Sequence, residues 1–148
     1  MVFVFFGPVD VIGTYYLVTL NFSWLLILPA SAMGFFSTGV LNLNNMRDIE
    51  NDSKSYKHTI ALKFGYSKAK IYHFSMIVLA LLSLVAFTLT TASGILPFIY
   101  IITYPVFIKD LIVISKIKDN SKLDPYLKRL ALSTLITTLL FGLGLNLT

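Results

Sequence analysis

The chain has 148 residues, 56% of them hydrophobic and only 13% charged, with a mean hydropathy of +0.79, which excludes an ordinary water-soluble domain. The lack of cysteine excludes disulfides and thiolate metal centres, and the two histidines, His58 and His73, are too few for a histidine-based metal site. A net charge of +5 would suit nucleic acid, but all twelve basic residues fall in two stretches, Arg47 to Lys70 and Lys109 to Arg129, that border apolar segments; membrane topology explains them, and no nucleic-acid partner is expected.

About 20 apolar residues in helix cross a hydrocarbon core roughly 30 Å thick. Five stretches qualify: Met1 to Leu20, Phe22 to Leu43, Ile71 to Thr91, Ile95 to Ser115 and Tyr126 to Leu147. Their runs are continuous, without the alternation of barrel strands. The predicted fold class is therefore all-α: a polytopic protein of the lipid bilayer, with one transmembrane domain over residues 1–148. Met1 opens directly into apolar sequence, with no basic leader and no small-residue cleavage site. A secretory signal peptide is not expected, and the abrupt start suggests a shortened chain.

Six basic residues lie in each basic stretch, so both loops are assigned to the cytoplasmic side of the cell membrane. The other connections, around Asn21 to Ser23 and Ala92 to Gly94, carry no charge and belong to the opposite face. The chain then starts inside and ends outside, with Trp24 near the outer boundary. Pro8, Pro29, Pro97 and Pro105 lie within spans and predict bent helices. Asp124-Pro125 reads as an N-cap followed by proline at the first helical position of the last span.

The run Asn44-Asn45-Met46-Arg47-Asp48-Ile49-Glu50-Asn51-Asp52 follows the second span. Continued as helix at about 100° per residue, it groups Asn44, Asn45 and Asp52 within roughly 60° of Asp48 and leaves Glu50 nearly opposite. Asp48 and Asp52 are thus the candidate metal pair. Two carboxylates on one face repel, so Arg47, Lys54 or Mg²⁺ must compensate them. Mg²⁺ takes one or two carboxylates together with waters and phosphate oxygens, and Lys57 and Lys63 would hold remaining phosphate charge. A calcium loop is excluded because its sixth and twelfth positions are Ser53 and Thr59. By spacing alone, the pair suits a solvated charged loop equally well.

This run, followed by Lys57, Thr59, Leu62 and Gly65, resembles the second aspartate motif of the 1,4-dihydroxy-2-naphthoate polyprenyltransferases, within the UbiA-like family of intramembrane aromatic prenyltransferases. The likeness continues through Phe5-Phe6-Gly7-Pro8, Gly13-Thr14-Tyr15-Tyr16, Asp124-Pro125-Tyr126-Leu127-Lys128 and Phe141-Gly142-Leu143-Gly144-Leu145. The resemblance implies a bundle of nine transmembrane helices with two aspartate motifs that bind Mg²⁺ and a polyprenyl diphosphate. This chain matches the C-terminal portion, and the first motif would lie in an N-terminal half upstream of Met1. The family usually has Gly before the motif's Lys, and Arg or Asn after it, where this sequence has Tyr56 and His58.

The implied reaction transfers a polyprenyl group from its diphosphate to 1,4-dihydroxy-2-naphthoate, in menaquinone biosynthesis. Asp48 and Asp52 would be the catalytic metal ligands. Asn44, Asn45, Arg47 and Lys57 would bind and orient the diphosphate. Other readings are prenylation of a different aromatic acceptor and a non-catalytic transporter or assembly subunit. Asp10, an ionisable group within a span, is a functional hypothesis by default. His58 reads as a phosphate-side donor or an interfacial residue, and His73 as a boundary residue. The aromatic residues suit either a prenyl tunnel or lipid contact, with Tyr15 and Tyr16 favoured for the tunnel by the resemblance.

Overall fold

The computed structural model describes residues 1–147. Among them are five helices long and apolar enough to cross a membrane: Val2–Thr19, Trp24–Arg47, Tyr66–Thr91, Leu96–Lys116 and Asn120–Asn146. Two of them, the first and the fourth, are irregular where proline enters. Around Pro8 the first span widens into π-type turns over Phe5–Ile12, since the ring removes a backbone donor and crowds the preceding turn. The fourth begins as a tight 3₁₀ segment, Leu96–Thr103, and relaxes to α at Tyr104–Lys116, with Pro97 and Pro105 each at the start of its segment.

The second span is central and packs against the first, third and fifth. Small residues permit this, because lipid supplies no hydrophobic drive between helices and close backbone approach must do the work. A Cβ on Gly7 would stand 2.6 Å from the Ala30 carbonyl oxygen, and one on Gly34 would stand 2.7 Å from the Phe3 carbonyl oxygen. The first and second helices therefore touch backbone to backbone. Gly144 likewise presses against Leu96 and Pro97, joining the fifth span to the start of the fourth.

Polar bonds cross the other contacts. Asn42 Nδ2 donates to Ala69 O at 2.9 Å, and His73 Nδ1 lies 3.1 Å from Gly39 O, both between the second and third spans. His73 is only 1% exposed. It is an interhelical residue of the core and not the boundary residue its place in the sequence suggested. Thr88 and Tyr100 hydroxyls meet at 3.0 Å, Thr103 and Thr137 at 2.7 Å, and Tyr104 Oη donates to Leu81 O at 2.7 Å.

The two basic loops meet at one end of the bundle. Lys70 Nζ donates to the carbonyls of Ser115 and Ile117, which close the fourth span, where a helix C-terminus favours a cation. The first span differs from the rest: Gly7 is its one buried residue, and Asp10, Tyr15 and Tyr16 lie on its exposed face.

At Gly34 an added Cβ meets the Phe3 ring as well as the Phe3 carbonyl oxygen, and the carbonyl cannot move aside without the backbone. Gly34→Val should lower stability by about 1–3 kcal/mol, read as a fall in thermal unfolding temperature in detergent. Gly13→Ala, in helical backbone where an added Cβ meets nothing within 4 Å, should not lower that temperature.

Candidate functional site at the basic end of the bundle

The helix from the second span does not continue unbroken through the polar run. It ends at Arg47, turns at Asp48 (φ −93°, ψ 12°) and resumes over Ile49–Lys54. Helical bonds persist on both sides of the bend, from Asp48 N to Asn44 O at 3.0 Å and from Asp52 N to Asp48 O at 2.9 Å, so the two aspartates remain one turn apart. Asp52 is buried at 4% exposure, whereas Glu50 faces solvent.

Both carboxylates have a cation of their own. Arg47 forks onto Asp48, Nε to Oδ1 and Nη2 to Oδ2, each at 2.8 Å. A bidentate guanidinium–carboxylate pair is among the stronger polar contacts available, and it holds the Asp48 carboxyl below the usual aspartate range against the opposing effect of burial. Lys57 Nζ donates to Asp52 Oδ1 at 2.8 Å, which raises the lysine's pKa. The charges of Lys57 and Asp48 also act on each other, so one ammonium serves both aspartates. The compensating residues are Arg47 and Lys57; Lys54 is exposed and takes no part in these pairs.

Lys57 reaches back through a tight turn. Its N–H donates to Asp52 O at 3.1 Å, and Tyr56 in between has φ +52°. This left-handed conformation is comfortable for glycine and costs about 1–2 kcal/mol for a side chain bearing Cβ. A glycine before the lysine is thus the unstrained choice, and this chain carries Tyr56 there at the cost of backbone strain.

Arg47 also joins the second basic loop. Its Nη1 donates to Asp124 Oδ1 at 2.8 Å and its Nη2 to Asn44 Oδ1 at 2.9 Å. Asn120 Nδ2 donates to the Arg47 carbonyl at 3.0 Å, meeting one of the acceptors a helix end leaves open. Asp124 does not cap the last span as the sequence suggested. Asp119 caps the lead-in turn, its carboxylate accepting from Ser121 N at 3.1 Å, while the α segment beginning at Asp124 has no side-chain cap. The available signal was an acidic residue inside a basic loop, next to a membrane end that holds an arginine.

Asn44 connects this clasp to an open groove of about 540 Å³ between the first, second and fifth spans. Its walls are mainly apolar and include Val2, Phe6, Val40, Leu41 and Leu127. Asn45 is half-buried and His58 is exposed in the following loop. A separate void of about 10 Å³ near His73, Asp110 and Ser133 has room for one water at most. Among the described residues, no three His, Cys, Asp or Glu side chains stand close enough to hold a metal by themselves. The oxygen donors of Asp48 and Asp52 suit Mg²⁺, which takes few protein carboxylates and completes its shell with water and phosphate.

The sequence profile of the UbiA prenyltransferase family matches residues 1–135. The chain belongs to the UbiA prenyltransferase family. It is 38% identical over 144 residues to the 1,4-dihydroxy-2-naphthoate octaprenyltransferase of Haemophilus influenzae and 34% identical to that of Escherichia coli, in each case over 97% of this chain and 47% of the relative. A Mycobacterium tuberculosis protein of the same name is 39% identical over 79 residues, covering 53% of this chain and 27% of that protein. The chain thus spans about half the length of the relatives that match nearly all of it. No solved structure matches it significantly.

Because Arg47 depresses the Asp48 pKa, the pair's contribution to stability is complete above about pH 4, the ordinary aspartate range. It is lost as pH falls through the lowered pKa. Thermal unfolding measured between pH 7 and pH 3 should show a smaller acid-induced fall for Asp48→Asn than for the unaltered protein. Tyr56→Gly should relieve the turn and raise stability at neutral pH by about 1 kcal/mol.

Proposed function

We propose that the chain forms the second-motif half of an aromatic prenyltransferase, moving a polyprenyl group from its diphosphate to 1,4-dihydroxy-2-naphthoate in menaquinone biosynthesis. Family membership supports prenyl transfer, and the names of the relatives support this acceptor. The observation that carries the reading is the pair of cation-matched carboxylates, Asp48 and Asp52, at the polar end of an apolar groove. A polyprenyl diphosphate has the same division, with an anionic head and a long hydrocarbon tail.

In this reading Asp48 and Asp52 are the catalytic metal ligands. Bound Mg²⁺ would supply Lewis-acid neutralisation of the departing diphosphate. Lys57 and Arg47 would meet the remaining phosphate charge, with Asn44 and Asn45 as neutral polar partners that orient the group. The groove beside Asn44 would take the prenyl tail and keep water from the allylic carbon. As its carbon–oxygen bond breaks, the electron-rich ring forms the new carbon–carbon bond, and the ring carboxylate leaves as carbon dioxide. No protein nucleophile is required.

We place the motif loop on the cytoplasmic side of the cell membrane, because both basic loops gather at that end. The first aspartate motif implied by the family resemblance belongs to a segment outside residues 1–148, and it would complete the diphosphate site across the exposed face of the first span. A cysteine replacing Tyr56 and one replacing Ser93 should accordingly be labelled from opposite sides of sealed vesicles.

Asp48→Asn and Asp52→Asn, each in the protein with both motifs present, should reduce Mg²⁺-dependent transfer by about 100-fold or more while membrane insertion is unchanged. Transfer of labelled prenyl diphosphate to the naphthoate acceptor measures this, and wild-type turnover in both variants would reject the metal role. Residues 1–148 alone should yield no product.

A further inference from the structure

Arg47 is held along two different edges. Its Nε and Nη2 face Asp48, while Nη1 is taken by Asp124 from the start of the fifth span's α segment. The backbone is held as well, through the bond from Asn120 to the Arg47 carbonyl. Two residues of the second basic loop thus hold the arginine that neutralises the aspartate motif. Nothing in the start of the fifth span calls for the Asp124 carboxylate to point this way, since it makes no cap bond there.

The arrangement has a consequence for ligand entry. A divalent cation arriving at Asp48 sets two positive charges beside the guanidinium and pushes it away. Held by Asp48 alone, Arg47 would leave the site just as an anionic ligand needs it. Asp124 grips the edge that the incoming cation does not approach. Its side chain is 63% exposed, against 27% for Arg47, so this grip lies toward solvent, where it can persist while the other is exchanged.

We propose that Asp124 is a positioning residue that anchors Arg47 as an exchangeable counter-ion of Asp48. The guanidinium releases Asp48 when a divalent cation and diphosphate enter, and Asp124 keeps it within reach of the phosphate oxygens. The inference rests on the reading of Asp48 as a metal carboxylate. It assigns to the start of the fifth span the task of setting how tightly the motif takes its cation.

Manganese binding, followed by electron paramagnetic resonance on the whole membrane-embedded protein with Mn²⁺ alone and then with inorganic pyrophosphate, tests this without turnover. Arg47→Met removes the competitor and should tighten Mn²⁺ binding several-fold. Asp124→Asn leaves the guanidinium to Asp48 alone and should weaken it several-fold, and Asp124→Glu should restore it. In the Arg47→Met background, Asp124→Asn should change the affinity by less than twofold. Opposite signs from two neighbouring substitutions are not a consequence of general loosening of the fold.

Unchanged affinity in Asp124→Asn, or an equal loss in the Arg47→Met background, would overturn the anchor. A weaker site in Arg47→Met would do so by itself, whatever the folding of the Asp124 variants. If Asp48→Asn abolishes Mn²⁺ binding while Asp124→Asn has no effect, only the anchor fails. If Asp48→Asn binds Mn²⁺ normally, the metal reading of the motif fails and the anchor with it.

Discussion

A carboxylate buried at the edge of a hydrocarbon layer is costly without a partner, because loss of water costs an isolated charge far more than packing returns. The polar end of this protein is organised by that constraint. Arg47 answers Asp48 and Asp124, Lys57 answers Asp52, and Arg129 answers Asp110 at 2.7 Å. The Arg47 clasp joins residues far apart in the chain, so neutralising a pair of charges also fixes where the second and fifth spans end relative to each other.

The helices below the clasp are arranged to make it possible. Gly7 and Gly34 let the first two spans touch at the backbone, and Gly144 does the same for the fourth and fifth. Between the second and third spans, His73 and Asn42 bond to main-chain carbonyls, a use of polar groups that an apolar surround favours. The apolar groove beside Asn44 is bounded by the first, second and fifth spans, two of which the clasp ties together. Packing, charge pairing and the candidate binding surface are therefore parts of one arrangement.

Tyr56 shows local geometry giving way to that arrangement. The turn must reverse within a few residues for Lys57 to reach Asp52, and the left-handed backbone at position 56 accomplishes it. The strain borne by a tyrosine there is offset by an ion pair at a carboxylate that would otherwise be buried alone. The bend at Asp48 serves the same end, separating the long helix from the short one while keeping the aspartates one turn apart.

The sequence alone determined the all-helical membrane fold and the five spans, because hydropathy over about 20 residues is a local property of the chain. It also singled out Asp48 and Asp52 as residues one turn apart, with Glu50 on the other side. Span limits were less legible: the third helix begins at Tyr66, five residues before its apolar stretch, and the last has a 3₁₀ lead-in at Asn120–Leu123. Hydropathy marks where lipid ends, whereas hydrogen bonding sets where helix ends. What only the tertiary structure decided is pairing: that Lys57 and not Lys54 meets Asp52, that His73 turns inward to Gly39, and that Asp124 spends its carboxylate on Arg47. Such choices depend on which helix faces meet in space, and no periodicity within a single segment records that.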